Sequence, residues 1–322
     1  MSVDIQSFWK LLVDSRLFDS QHIQQLSSSF GQVKGAAQSG NAKTLAEWMI
    51  SQNYLSRYQA TVLLAGRPGP FFYGDYKVYD RVDSGRLNGM FRAVHAGTNH
   101  PVLLQFVTGP ISQNQQQWSS AAQRLERQTT IVHPQLVRAF EAVDLQTYKF
   151  VVLENVYGQS LDEQLAKGSL PASEACRVLR LAAMGLAHLH QQGEVHGDVR
   201  PHQIVSEPTG NVRLMRDPLA APRPHDFTNP DPGGELLCKA DYLAPEFAQP
   251  GKQPDKLTDI YALGCTFYHL LAGRAPFTGG DAPQKLGRHA AEAIQPLEQF
   301  GIPQSVAEMV SYMMAKNASV RY

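Results

Sequence analysis

The chain has 322 residues, enough for two domains or for one two-lobed domain with an appendage. Lysine plus arginine balances aspartate plus glutamate at 29 each, so no net field draws in nucleic acid or an anionic membrane surface. Three cysteines without paired spacing (Cys176, Cys238 and Cys265) suit thiols in a reducing compartment. With no signal-type leader and no apolar run near the roughly 18 residues of a membrane span, this predicts a cytoplasmic protein.

Residues 1 to 66 predict an all-α segment. SFWKLLVDSRLF, SQHIQQLSSSF, NAKTLAEWMISQNYL and SRYQATVLLAG space their apolar residues by three and four, with Ser or Asn ahead of several runs as N-caps. Gly66-Arg67-Pro68-Gly69-Pro70 breaks the pattern and opens a linker, 67 to 75. From Tyr76 the texture turns to strands: YKVYDRV, MFRAVHAG and PVLLQFV, then a helix over 114–130 and the apolar strand FVVLENV. After Leu161 helices dominate, in LDEQLAKG, SEACRVLRLAAMGLAHLHQQG, TDIYALGCTFYHLLAGRAPF, APQKLGRHAAEAI and SVAEMVSYMMAKN. The stretch 222–235, PRPHDFTNPDPGGE, predicts a mobile surface loop. The fold class expected is α+β: a strand-rich lobe over 76–154 and a helical lobe over 155–322, after a helical domain over 1–66.

Several motifs occur in order along 76–322. VHGDVRPHQI holds a loop acid, Asp198; YLAPEF spans 242–247; DIYALGCTFYHLLAGRAPF begins at Asp259; HPQLV and LENVYGQSL fall at 133–137 and 153–161. In this order and spacing the chain resembles the eukaryote-like Ser/Thr protein kinases of bacteria. The resemblance implies a bilobal protein-kinase-like fold. It makes VHGDVRPHQI the catalytic loop, with His196 structural and Asp198 the base. It also implies structural roles for Asp259 and for an ion pair between Glu246 and Arg321.

Carried over position by position, the resemblance also exposes departures. The strand lysine falls at Gln105 and its helix glutamate at Arg124; the metal-binding asparagine falls at Gln203 and the D-F-G aspartate at Arg216. Phosphoryl transfer rests on positioned phosphates, metal and charge, and each of these substitutions removes one such part. The glycine-rich loop becomes Asp83-Ser84-Gly85-Arg86-Leu87-Asn88, keeping only Gly85. Leu103, facing Leu153 across the expected nucleotide cleft, overfills the adenine slot at a cost of roughly 1–3 kcal/mol. Without gaps Arg216 takes the metal position; a one-residue slip puts Asp217 there. Gly197 stands where an activation-loop-reading arginine would be, so the loop holding Thr228 is not expected to be a phospho-switch. Lys239 or Arg200 is expected to neutralise Asp198.

These departures predict a pseudokinase: no functional catalytic residues, no enzyme activity, weak or absent ATP and magnesium binding, and a scaffolding role for protein partners, with no nucleic acid and no membrane. The alternative is an atypical Ser/Thr protein kinase with a rearranged nucleotide site. The helices of residues 1–66 read equally as a partner-binding module or as a flank packed on the small lobe.

Overall fold

In the computed structural model, residues 3–32, 41–217, 219, 235–249 and 251–322 are described. The predicted loop 222–235, Glu235 apart, and Thr228 lie outside them. The chain divides into two compact units, Met1–Gln115 with Phe140–Asn155, and Gln116–Ala139 with Val156–Tyr322.

The first unit begins with α1 (Ile5–Asp14), α2 (Ser20–Gly31), α3 (Ala42–Ser51) and α4 (Arg57–Leu64). Each is started by a side-chain oxygen that takes up free backbone N–H groups: Asp4, Asp19, Asn41 and Ser56. Their apolar stripes meet in a core that includes Phe8, Leu12, Leu45, Met49, Leu63 and Phe71. The sheet that follows runs in the order β1-β2-β3-β4-β6-β5. Its strands are β1 (Phe72–Tyr73), β2 (Tyr76–Arg81), β3 (Phe91–His95), β4 (Pro101–Phe106), β5 (Ala139–Asp144) and β6 (Lys149–Glu154). Alternation along β2 buries Tyr76 and Val78 with Ala93, Val102, Leu104, Phe150 and Val152.

The helices and the sheet share a boundary. Gln59 closes a capping box with Ser56 and also donates from Nε2 to the Val78 carbonyl at 2.9 Å. Tyr58 sets its ring edge-on to Phe71 and Phe91, at 6.3 and 5.8 Å. The stretch 67–75 therefore carries β1 and the buried Phe71, and the helical segment is docked on the sheet.

The second unit is built on helices. They are α5 (Gln115–Gln128, all but its first residue), α6 (Leu161–Leu165), α7 (Ala172–Gln191), α8 (Glu235–Lys239), α9 (Lys256–Ala272), α10 (Ala282–Ala291) and α11 (Gln304–Met313). A small sheet of β7 (Gln159–Ser160), β8 (Ile204–Ser206) and β9 (Val212–Leu214) adjoins them. Helix α9 is the axis of this unit and is buried along most of its length. Asp255 caps its start, and Gly273 ends it at φ 71°, the left-handed conformation a β-carbon would resist. Its Gly264 lets α11 approach closely, since a β-carbon there would meet Met313 Cβ at 2.8 Å. Among the described residues no helix is long and apolar enough to cross a membrane.

Candidate functional site

The frame of the second unit's loop comes first. Asp259, 1% exposed at its side chain, accepts from the backbone N–H of His196 and of Gly197, each at 2.8 Å, and faces His190 Nε2 at 2.8 Å. It fixes the loop that leads into Asp198. His196 is buried, and burial lowers its pKa, so its ring stays neutral. Arg321 forks onto Glu246 with contacts of 2.7 and 2.9 Å and caps the carbonyls of Leu257 and Ala315.

Asp198 follows. Its Oδ1 meets Arg200 Nε at 2.9 Å; its Oδ2 accepts from Gln203 Nε2 at 2.7 Å and lies 3.8 Å from Lys239 Nζ. Both cations expected beside this acid are there. Burial pushes the Asp198 carboxyl up, but Arg200, then Lys239 and Gln203, outweigh it and hold the group below its ordinary value. The acid is a carboxylate. A carboxylate can be met only by the donor end of an amide, so Gln203 presents Nε2 to Asp198 and its Oε1 faces away.

Next along the chain, β9 ends at Leu214 and Met215 N donates to the Gln203 carbonyl at 2.7 Å. Arg216, at the family's metal position, turns onto Glu194 with a 2.9 Å contact. Asp217, immediately after it, is exposed; one carboxylate oxygen accepts from Leu219 N at 3.0 Å. Arg124 on α5 donates to the Leu219 carbonyl at 3.1 Å. The structure thus gathers Asp198, Gln203, Arg200 and Lys239, and separately pairs Arg216 with Glu194.

The remaining candidates lie in the first unit. Asp83 has Arg81 Nε at 3.7 Å, which offsets part of its charge. Gly85 opens a 3-10 turn at φ 65° that runs to Leu87, and Asn88 N closes back on the Gly85 carbonyl. Leu103 on β4 is fully buried and in register with Leu153 on β6. Gln105, also on β4, has a buried Oε1 without a hydrogen-bond partner. Arg92 Nη1 donates to Asn155 Oδ1 at 2.7 Å. Gln105 belongs to this unit and Arg124 to the other.

Residues 76–322 match the family model described as "Protein kinase domain". This chain belongs to the protein kinase domain family. The serine/threonine-protein kinase PrkC of Bacillus subtilis is 30% identical over 197 residues, which are 60% of this chain and 30% of PrkC. The serine/threonine-protein kinase PknL of Mycobacterium tuberculosis is 28% identical over 252 residues, 77% of this chain and 62% of PknL. The chain therefore spans less than two thirds of either relative. Among solved structures, the kinase domain of Mycobacterium tuberculosis PknI aligns with TM-score 0.58 and 19% identity, over 78% of this chain and 92% of that one. The fold is kinase-like, with a β-sheet lobe and a helical lobe, after an all-α segment.

Family membership corrects two expectations. The chain was expected not to be an enzyme and to bind ATP and magnesium weakly or not at all; the kinase match over 76–322 and relatives named serine/threonine-protein kinases point instead to a kinase enzyme, of a family that uses both. The reason lies in how the departures were weighed. Arg216 was read as a cation planted on the metal position, whereas its guanidinium is tied to Glu194 and Asp217 follows it with an exposed carboxylate. Gln203 was read as a displaced ligand, whereas its amide orients Asp198 and turns its own oxygen outward. Glu194 left no trace in the sequence reading, because an ion pair spanning 22 residues has no periodic signature.

Proposed function

We propose that this chain is an atypical Ser/Thr protein kinase whose phosphoryl-transfer site is rearranged around Asp198 and Asp217. The observation that carries this reading is Asp198 itself: a loop acid kept ionised, held at both oxygens, in the position the matched family uses for its base. Asp198 would orient an acceptor hydroxyl and take up its proton as the oxygen bonds to the γ-phosphorus and the bond to ADP breaks. Arg200, 2.9 Å from that carboxylate, adds a fixed cation beside the forming charge.

The oxygen donors of the second unit fit magnesium. Asp217 offers a carboxylate and Gln203 an amide oxygen turned away from Asp198. No trio of carboxylate, imidazole or thiolate ligands gathers among the described residues, so the ion would keep several waters, as magnesium commonly does. Bound there, magnesium would neutralise phosphate charge. Turning Arg216 onto Glu194 draws the neighbouring cation away from that role.

The test uses the full chain, radiolabelled ATP and a Ser/Thr-containing protein acceptor, with magnesium or with chelator. Magnesium-dependent label transfer is expected, lost on Asp198→Asn and reduced at least tenfold on Asp217→Asn at low magnesium. Absence of transfer with magnesium and with manganese, together with no thermal shift at saturating ATP, overturns the proposal; a ligand at 100 times its Kd adds about 2.7 kcal/mol to stability, so binding would be visible.

A further inference from the structure

Asp198 is held by three groups that differ in how firmly they are placed. Arg200 is 9% exposed at its side chain and 2.9 Å from Oδ1; Gln203 is buried and hydrogen-bonded to Oδ2. Lys239 stands apart: its Nζ is 3.8 Å from Oδ2, beyond hydrogen-bond range, and its side chain is 27% exposed. An ion pair of that kind contributes between nothing and about 1 kcal/mol. It is the contact a competing anion can take over.

The backbone beneath Lys239 is fixed by other means. Lys285 on α10, 8% exposed at its side chain, pairs with Asp241 at 2.7 Å and donates to the Leu237 carbonyl at 3.1 Å. These contacts pin α8 and the turn after it on both sides of Lys239, so its four-carbon stem is the moving part. Lys239 also lines a small open hollow with Gly197, Asp198, Tyr242, Leu243 and Phe247. Any residue entering this hollow next to an acceptor hydroxyl at Asp198 meets one ammonium and an apolar floor.

We propose that Lys239 selects the acceptor: its ammonium passes from Asp198 to a carboxylate flanking the acceptor Ser or Thr, so acidic peptides are the preferred substrate class. The inference rests on the kinase reading above and names the substrates of that same site. Two consequences combine in the exchange. The peptide carboxylate gains a cation, and Oδ2 of Asp198 is freed on one side for the hydroxyl proton. Lys239 is a positioning and selecting residue; the proton goes to Asp198.

The test compares three peptides that differ only beside the acceptor serine, carrying Glu, Gln or Lys, with matched versions in which the serine is alanine. For the natural chain, kcat/KM is expected to favour Glu over Gln by about tenfold, the equivalent of about 1.4 kcal/mol, and to be lowest for Lys. Lys239→Thr should bring the Glu-to-Gln ratio to near one, and Lys239→Arg should retain it. The alanine peptides, read by fluorescence anisotropy, should show the same charge order in Kd and the same loss on Lys239→Thr. Transfer without charge preference, or a preference unchanged by Lys239→Thr, overturns this inference and leaves the kinase reading standing. Charge-selective binding that depends on Lys239, with no transfer to any peptide, overturns the kinase reading alone. Neither binding nor transfer overturns both.

Discussion

Two aspartates of the second unit are held in opposite ways. Asp259 is sealed in, with backbone N–H groups of His196 and Gly197 as donors and His190 beside it. Asp198 is partly open, and its partners are all side chains, with one of them beyond hydrogen-bond distance. Backbone donors cannot leave without unfolding the loop, whereas side chains can exchange partners. The first arrangement is that of a frame and the second that of a site, although both residues are carboxylates on the same loop assembly.

If that contrast is right, damage to the frame should be felt as stability. The largest effect is expected from Arg321→Met, which strands the Glu246 carboxylate after its fully buried partner is removed. Breaking such a pair costs about 3–5 kcal/mol, to be read from the urea midpoint at constant slope. The frame should also carry the acid sensitivity. His289 is fully buried, hydrogen-bonded at Nδ1 to Tyr261, and burial, with Lys316 nearby, lowers its pKa to about 3. Its folded value lies below the ordinary 6.5, so the unfolded chain binds the proton first. Its stabilising effect is complete above about pH 6.5 and is lost as the pH falls toward 3, at about 1.4 kcal/mol per unit. His269, lowered to about 4 mainly by burial, acts in the same direction. Stability should fall between pH 6.5 and 5, and His289→Gln should remove about half of that slope; an unchanged slope would show that His289 titrates normally. The smallest effect is expected at the site: Lys239→Thr should shift stability by less than about 1 kcal/mol, the same substitution expected to abolish acceptor choice.

The frame was legible in the sequence because its parts repeat a pattern. Helical spacing in SEACRVLRLAAMGLAHLH predicted the helix found at Ala172–Gln191, and PVLLQFV predicted the strand found at Pro101–Phe106. The pairing of Glu246 with Arg321 followed from family order alone and is present at 2.7 Å. The site was less legible. Arg216 to Glu194 and Lys285 to Asp241 are single contacts between residues far apart in the chain, and no periodicity announces them. Each altered position, weighed alone, suggested a loss of chemistry. Which neighbour a side chain chooses decides what it does, and that choice is made in three dimensions. The docking of α4 on β2 was likewise open, since an amphipathic helix declares an apolar face without saying what covers it.

That docking has a practical corollary for anyone preparing the catalytic portion by itself. A cut at residue 76, where the family match starts, would strip away Tyr58, Gln59 and Phe71. The Val78 carbonyl would lose its hydrogen-bond donor and the Phe91 ring its aromatic neighbour. A fragment trimmed that way carries a raw greasy flank and invites clumping, so the expression boundary belongs upstream of the first helix.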